Sequence, residues 1–135
     1  MAQTQKPTTL GYAEIAKRMA TAGDAAGSCV KSIVGLSGAC TAAEASTFAN
    51  PGGATKLAAN GFALVSADTV AQSTGYVNID HVFTCASAPQ ATTGFAILND
   101  DDDVVFMECC YNAEIPCELT DTITIDASMQ FKLGA

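Results

Sequence analysis

Residues 121–133 read Asp-Thr-Ile-Thr-Ile-Asp-Ala-Ser-Met-Gln-Phe-Lys-Leu. Apolar side chains occupy every odd position from Ile123 to Leu133, and polar side chains occupy every even position from Thr122 to Lys132. Successive side chains of a β-strand point to opposite faces, so this alternation predicts a strand with one buried face and one wet face. Such strands are typical of antiparallel sheets. The segment therefore predicts an antiparallel β-sandwich and leaves no obvious room for a catalytic site.

Further strands are expected on the N-terminal side of this segment. They are predicted over residues 28–36, 62–71, 76–85, 93–98 and 104–111. Pro116 is expected to break the chain near a short piece at 113–119. With turns at short intervals, the pattern indicates a mainly β fold, a Greek-key-like sandwich of about six or seven strands.

The first part of the chain follows a different pattern. Residues 1–9 are polar and predict an extended arm, whereas residues 10–22 place Tyr12, Ile15, Ala16 and Met19 on one face of a short helix. The length of 135 residues predicts a single domain over 1–135, with the sandwich spanning residues 28–133.

The charge is acidic and unevenly distributed. The formal net charge is -8: residues 1–60 carry five basic and three acidic side chains, and residues 61–135 carry one basic and eleven acidic side chains. This balance disfavours binding to nucleic acid or to an anionic membrane, which requires clustered lysine and arginine. Oppositely charged ends suit head-to-tail contact between copies. The alternative is a solvated acidic face with no partner.

Targeting signals and cysteines suggest where the protein folds. The first 20 residues lack the apolar run of a signal peptide, and no apolar stretch is long enough for a transmembrane helix, so we expect synthesis in a cytoplasm. The six cysteines, at 29, 40, 85, 109, 110 and 117, lack zinc-site spacing. Most are expected to be small buried hydrophobes, as thiols in a reducing compartment or oxidised after a particle leaves the cell. Adjacent Cys109 and Cys110 should point to opposite faces of a strand.

One short loop carries a run of carboxylates. Asn99 is followed by Asp100, Asp101, Asp102 and Asp103, whose oxygens are of the type that binds Ca²⁺. The glycine and glutamate of an EF-hand loop are missing at the corresponding positions. The alternatives are a solvated hairpin tip that discourages edge pairing, or a contact with a basic neighbour.

His81 is the single histidine, so a nucleophile–histidine–acid set would require it. The strand pattern places His81 on an apolar face between Ile79 and Phe83. A structural or interface histidine is the preferred interpretation, and we expect no enzyme. The rival is a small binding module or enzyme built around His81 and the cysteines.

Several short motifs, taken in order, carry a family resemblance. They are Thr-Leu-Gly at 9–11, Val-Gly-Leu-Ser-Gly at 34–38, Gly-Phe-Ala-Ile-Leu at 94–98 with the acidic turn after it, and Thr-Asp-Thr-Ile-Thr-Ile at 120–125. In this order they resemble the small virion structural proteins of tailed phages. That group comprises head decoration or cement proteins and minor tail or fibre-attachment proteins.

The resemblance implies a location in the virion and a function in assembly, with no catalytic residues and no cofactor. The implied partners are the major capsid protein, other virion subunits and further copies of this chain. The arm and helix then supply the interface candidates Lys6, Tyr12, Lys17 and Arg18, and the last strand supplies Thr122, Thr124 and Gln130. Head decoration is preferred, and the alternatives are a tail or head-fibre component or a subunit of an extracellular filament.

Overall fold

A computed structural model describes residues 3–8, 11, 30–73, 76–99 and 101–130. These residues form nine strands and one 3-10 turn, Pro51–Gly53. The strands are β1 (Gln3–Pro7), β2 (Val30–Ser37), β3 (Thr55–Lys56), β4 (Val65–Ser66), β5 (Thr69–Ser73), β6 (Tyr76–Thr84), β7 (Gln90–Asn99), β8 (Val105–Cys117) and β9 (Thr122–Gln130). The prediction of a mainly β, antiparallel fold is confirmed.

The strands form two antiparallel sheets. The first sheet has the order β1-β8-β7-β2-β3, and β4 pairs with β2 beside β3. The second sheet has the order β5-β6-β9. β7 and β8 form a hairpin whose turn is the acidic loop that follows Asn99. β5 and β6 form another hairpin, which supplies the first two strands of the second sheet. Within the described residues, no helix is long and apolar enough to cross a membrane.

One apolar cluster contains side chains from both sheets. The first sheet contributes Ile33, Phe95, Ile97, Met107 and Cys109, and the second contributes Ile79, Phe83, Ile125, Ala127 and Met129. Phe62 lies between strands and stacks on Phe83, with ring centroids 5.3 Å apart. Burial of this surface is the main force that holds the two sheets together.

The first sheet is covered on its second side by residues 38–54. A second cluster forms there from Val34, Leu36, Ala54, Ala96, Leu98 and Val105. A disulfide between Cys40 and Cys110 joins the start of the covering segment to β8. As a result, β7 is buried on both faces along most of its length.

Strand β9 has the two faces that its sequence predicts. Ile125, Ala127 and Met129 are buried, whereas the intervening Thr124, Asp126 and Ser128 are exposed. All nine residues of β9 pair with β6 without a register shift. The alternation therefore orients this strand in the sheet.

Two predicted segment boundaries and the predicted number of strands are wrong. The strand expected over 62–71 is two strands, β4 and β5, separated by Ala67 and Asp68. Pro116 does not break the chain, because β8 continues to Cys117 and Pro116 pairs with Ala91. Proline is tolerated there because, among the described residues, β1 borders β8 only over residues 107–111. The short elements β1, β3 and β4 raise the count above the expected six or seven.

The predicted N-terminal arm and helix have different outcomes. Residues 3–7 are extended, but they form β1 at the edge of the first sheet, and a free arm is not shown. The adjoining Thr8 is buried, with its hydroxyl donating to the carbonyl of Val105. The Gly11 amide donates to the Thr8 hydroxyl at 3.0 Å. The helix predicted over 10–22 lies, apart from Gly11, outside the described residues.

Candidate functional site

The second sheet presents a polar outer face, which is the candidate functional site. The outward positions of β9 are Thr122, Thr124, Asp126 and Ser128, all exposed. Those of the neighbouring β6 are Asn78, Asp80, Val82 and Thr84. The predicted interface residues Thr122 and Thr124 therefore lie side by side on one surface, and Gln130 ends the same strand opposite Tyr76.

Two carboxylates lie near the centre of this outer face. Asp80 and Asp126 are direct partners across β6 and β9. Like charges in directly opposite positions weaken a strand pair. The described positions of β6 and β9 on this face include no lysine or arginine. The Ser128 hydroxyl donates a hydrogen bond to Asn78 Oδ1 at 2.7 Å. The face is therefore polar, with its charge of one sign.

The other predicted interface residues are not brought to this face. Lys6 is exposed on β1 in the first sheet, directly opposite Glu108 of β8. Tyr12, Lys17 and Arg18 lie outside the described residues. The seven candidates therefore do not form one cluster in the part of the chain that the structure describes.

The acidic loop is organised around Asn99. The Asn99 side chain is buried, and its Oδ1 accepts hydrogen bonds from the amides of Asp103 and Val104 at 3.0 and 2.9 Å. Its Nδ2 donates to Asp103 Oδ1 at 2.6 Å. Asp101 and Asp103 are exposed, and Asp100 is outside the described residues. Among the residues described, no group of three or more His, Cys, Asp or Glu side chains is arranged to hold a metal ion.

His81 lies where the strand pattern predicts, on the same face as Ile79 and Phe83. Its ring packs edge-on against Phe83 at a centroid distance of 4.5 Å. Nδ1 lies 3.2 Å from Asp68 Oδ2, but not in hydrogen-bond geometry. The adjoining shallow groove has a volume of about 410 Å³, and its lining includes no cysteine or serine. Among the described residues, this arrangement brings no thiol or serine nucleophile to the histidine.

The cysteines are divided between a disulfide and buried thiols. Cys110 bonds to Cys40 on the covered side of the first sheet, and its neighbour Cys109 points into the shared core, as predicted. Cys85, Cys109 and Cys117 are buried, as expected of small hydrophobes. Burial raises the pKa of the Cys117 thiol, and the charges of Asp121 and Cys85 raise it further. Cys29 lies outside the described residues.

Sequence reasoning missed one buried carboxylate. Glu108 is fully buried on β8, and its Oε1 accepts hydrogen bonds from the Ala43 amide and the Ser46 hydroxyl, both at 2.6 Å. Oε2 has no hydrogen-bond partner among the described residues. Ser46 in turn accepts a bond from the Gly52 amide. The available signal was a single glutamate inside the apolar run of residues 104–110, a setting in which an exposed side chain is unexpected.

Comparisons with protein-family models, with curated proteins and with solved structures found no match. The resemblance to small phage virion proteins therefore stays a prediction from the sequence motifs.

Proposed function

We propose that the protein is a structural component of a tailed-phage virion and that it acts as a capsid decoration or cement protein. The observation that supports the proposal is the polar outer face of the second sheet, built from regularly spaced threonine, serine, asparagine and aspartate side chains. The order of short sequence motifs supports it independently. In this role the protein works by binding, in many copies, to the major capsid protein and to neighbouring subunits.

As part of this proposal, the fold is a β-sandwich with Greek-key-like connections. The cluster shared by the two sheets supports this description, since each sheet contributes apolar side chains to the same core. A body of this kind leaves the outer face of one sheet free for contact. Single contacts on such a polar surface are weak, and repetition over a lattice makes the overall attachment strong.

The disulfide is equally consistent with a second candidate, a subunit of an extracellular filament. Disulfides persist in oxidising surroundings and are rare in reducing cytosol. Cys40 and Cys110 are bonded here, and the bond ties the covering segment to β8. A virion that has left its host meets the same conditions, as does a tail or head-fibre component. The disulfide therefore supports a protein that works outside the cell in either setting.

The decisive experiment locates the protein on native particles. An antibody raised against the recombinant protein is used to probe density-gradient fractions from cultures that produce it, followed by cryo-electron microscopy of labelled particles. Decoration predicts co-sedimentation with heads at a fixed number of copies per capsid subunit. Label on tails supports the tail alternative. Recovery solely in a soluble or filament fraction would overturn the virion proposal.

A matched pair of variants tests the outer face. Asp126→Lys reverses a charge on the proposed contact surface, and Glu114→Lys reverses an exposed charge on β8, away from that surface. We expect Asp126→Lys to lower the occupancy of purified particles about tenfold and Glu114→Lys to leave it unchanged. Equal occupancy for the two variants would contradict a role of the outer face.

A further inference from the structure

β1 and β9 are two of the outer strands, and each has an edge that no described strand occupies. β1 lies at one end of the first sheet, and β9 lies at one end of the second. β9 is nine residues long and lacks the proline, lysine and register shift that usually protect an edge. Such an edge presents a row of backbone N–H and C=O groups to an incoming strand.

The two edges carry opposite charges. Lys6 is the charged residue of β1, and Asp126 is the charged residue of β9. Both side chains are exposed. Asp80, directly opposite Asp126 on β6, adds a second negative charge beside the β9 edge.

Both charges lie on the outward sides of their sheets. Residues directly opposite in an antiparallel pair share a face, so Lys6 lies on the same side as Glu108. Glu108 contacts Ala43 and Ser46 of the segment that covers the first sheet, which identifies that side as outward. Asp126 is on the outer face of the second sheet. If β1 of one copy pairs with β9 of another and both cores lie on the same side, the two charges meet on one face.

Charge also disfavours the pairing of each edge with its own copy. Two β9 edges pairing about a two-fold axis near the middle of the strand place Asp126 close to its copy, next to two further Asp80 carboxylates. Two β1 edges bring Lys6 close to its copy. Like charges in opposite positions oppose both arrangements, whereas the β1–β9 pairing joins unlike charges.

We propose that copies of this chain associate head to tail, with β1 of one copy adding to the free edge of β9 in the next and Lys6 lying beside Asp126. A contact of this heterologous kind closes into a ring or continues as an open row. It would serve a lattice or a filament equally. The inference is therefore separate from the proposed function and is tested on the isolated protein.

The test is a charge exchange, measured by sedimentation velocity and light scattering over a concentration series at low ionic strength. The wild-type protein is expected to associate with rising concentration, and added salt to weaken the association by screening. Lys6→Glu and Asp126→Lys are each expected to lower the association constant about tenfold. The double variant K6E/D126K is expected to recover most of the wild-type association. Glu114→Lys is the matched control, and circular dichroism verifies folding of each variant.

A cross-link provides a second measurement that does not rely on charge reversal. Lys6→Cys and Asp126→Cys proteins are mixed and oxidised with a small-molecule disulfide. We expect a reducible heterodimer in the mixture and much less dimer in either protein alone. A wild-type protein that stays monomeric over the whole series, a double variant that associates no better than the single variants, or the absence of the heterodimer would each overturn the proposal.

Discussion

Glu108 is a carboxylate in the interior, held by two donors from the segment that covers the first sheet. Glu108→Ala removes the acceptor and leaves the Ala43 amide and the Ser46 hydroxyl without their bonds. Loss of both bonds is expected to lower the free energy of unfolding by about 3 kcal/mol. Glu108→Gln retains an acceptor oxygen for the two donors, so we expect a loss of less than about 1 kcal/mol.

Urea unfolding monitored by circular dichroism measures both changes. Glu44→Ala is the control, because Glu44 is exposed on the covering segment and its removal should change stability by less than about 0.5 kcal/mol. If Glu108→Ala and Glu108→Gln were equally stable, the two hydrogen bonds would not hold the covering segment.

The disulfide supplies a second prediction for single residues. Cys40 and Cys110 are 70 positions apart. A cross-link of that span lowers the entropy of the unfolded chain, which stabilises the folded state by about 4 kcal/mol. The variant C40A/C110A is therefore expected to unfold at a markedly lower temperature than the wild type. Dithiothreitol should lower the wild-type midpoint and leave that of C40A/C110A unchanged. A shift in the double variant would show that the reductant acts elsewhere.

Elements differ in how much their sequence reveals. β9 was predictable because one of its faces is wet, and the resulting alternation is visible residue by residue. β7 is buried on both faces, so its apolar run gives no such orientation, and the covering segment of residues 38–54 was not anticipated. The sequence predicts a break at Pro116, because the tolerance of β8 for this proline depends on where β1 ends, which is a tertiary feature. The alternation in β9 predicts that Thr122 and Thr124 lie on the outer face. It does not predict that Asp80 lies there too, because the pairing of β6 with β9 cannot be read from the sequence alone.

Two titratable groups of β8, Tyr111 and Cys117, are expected to lower the stability of the protein at alkaline pH. Burial raises the pKa of Tyr111 above its ordinary 10.0, and the nearby Cys109 and Cys117 thiols add to the shift. Burial likewise raises the pKa of Cys117 above 9.0. Above these ordinary values the unfolded chain releases protons that the folded chain retains, so stability is fully present below about pH 9 and falls as pH rises.

Urea midpoints measured at intervals between about pH 8 and pH 11 test this limit. Tyr111→Phe and Cys117→Ala each remove one of the two groups and should reduce the slope of stability against pH. Absorbance at the phenolate band follows the tyrosines directly in the folded protein. A slope that is the same in both variants and in the wild type would place the alkaline sensitivity in other groups.

At the scale of the whole molecule, the two sheets differ in charge and in how far they are enclosed. The described lysines, Lys6, Lys31 and Lys56, all lie in strands of the first sheet, whereas the outer face of the second sheet carries carboxylates. The first sheet is enclosed by the second sheet on one side and by the covering segment on the other. The second sheet has one wet face. The molecule therefore combines a well-buried sheet that stabilises it with a more exposed sheet that is available for contact.

This asymmetry predicts the order in which backbone amides exchange with deuterated solvent. Amides near the middle of β7, between Phe95 and Leu98, are enclosed by neighbours on every side and should exchange only through global unfolding. Amides of β5, at the edge of the second sheet, should exchange through local opening. The free energy of this opening should be lower than that of global unfolding by about 2 kcal/mol or more. Native-state exchange followed by mass spectrometry or NMR at increasing denaturant separates the two classes. If β5 were protected as strongly as β7, the two sheets would open as one unit, and the second sheet would not be the less stable of the two.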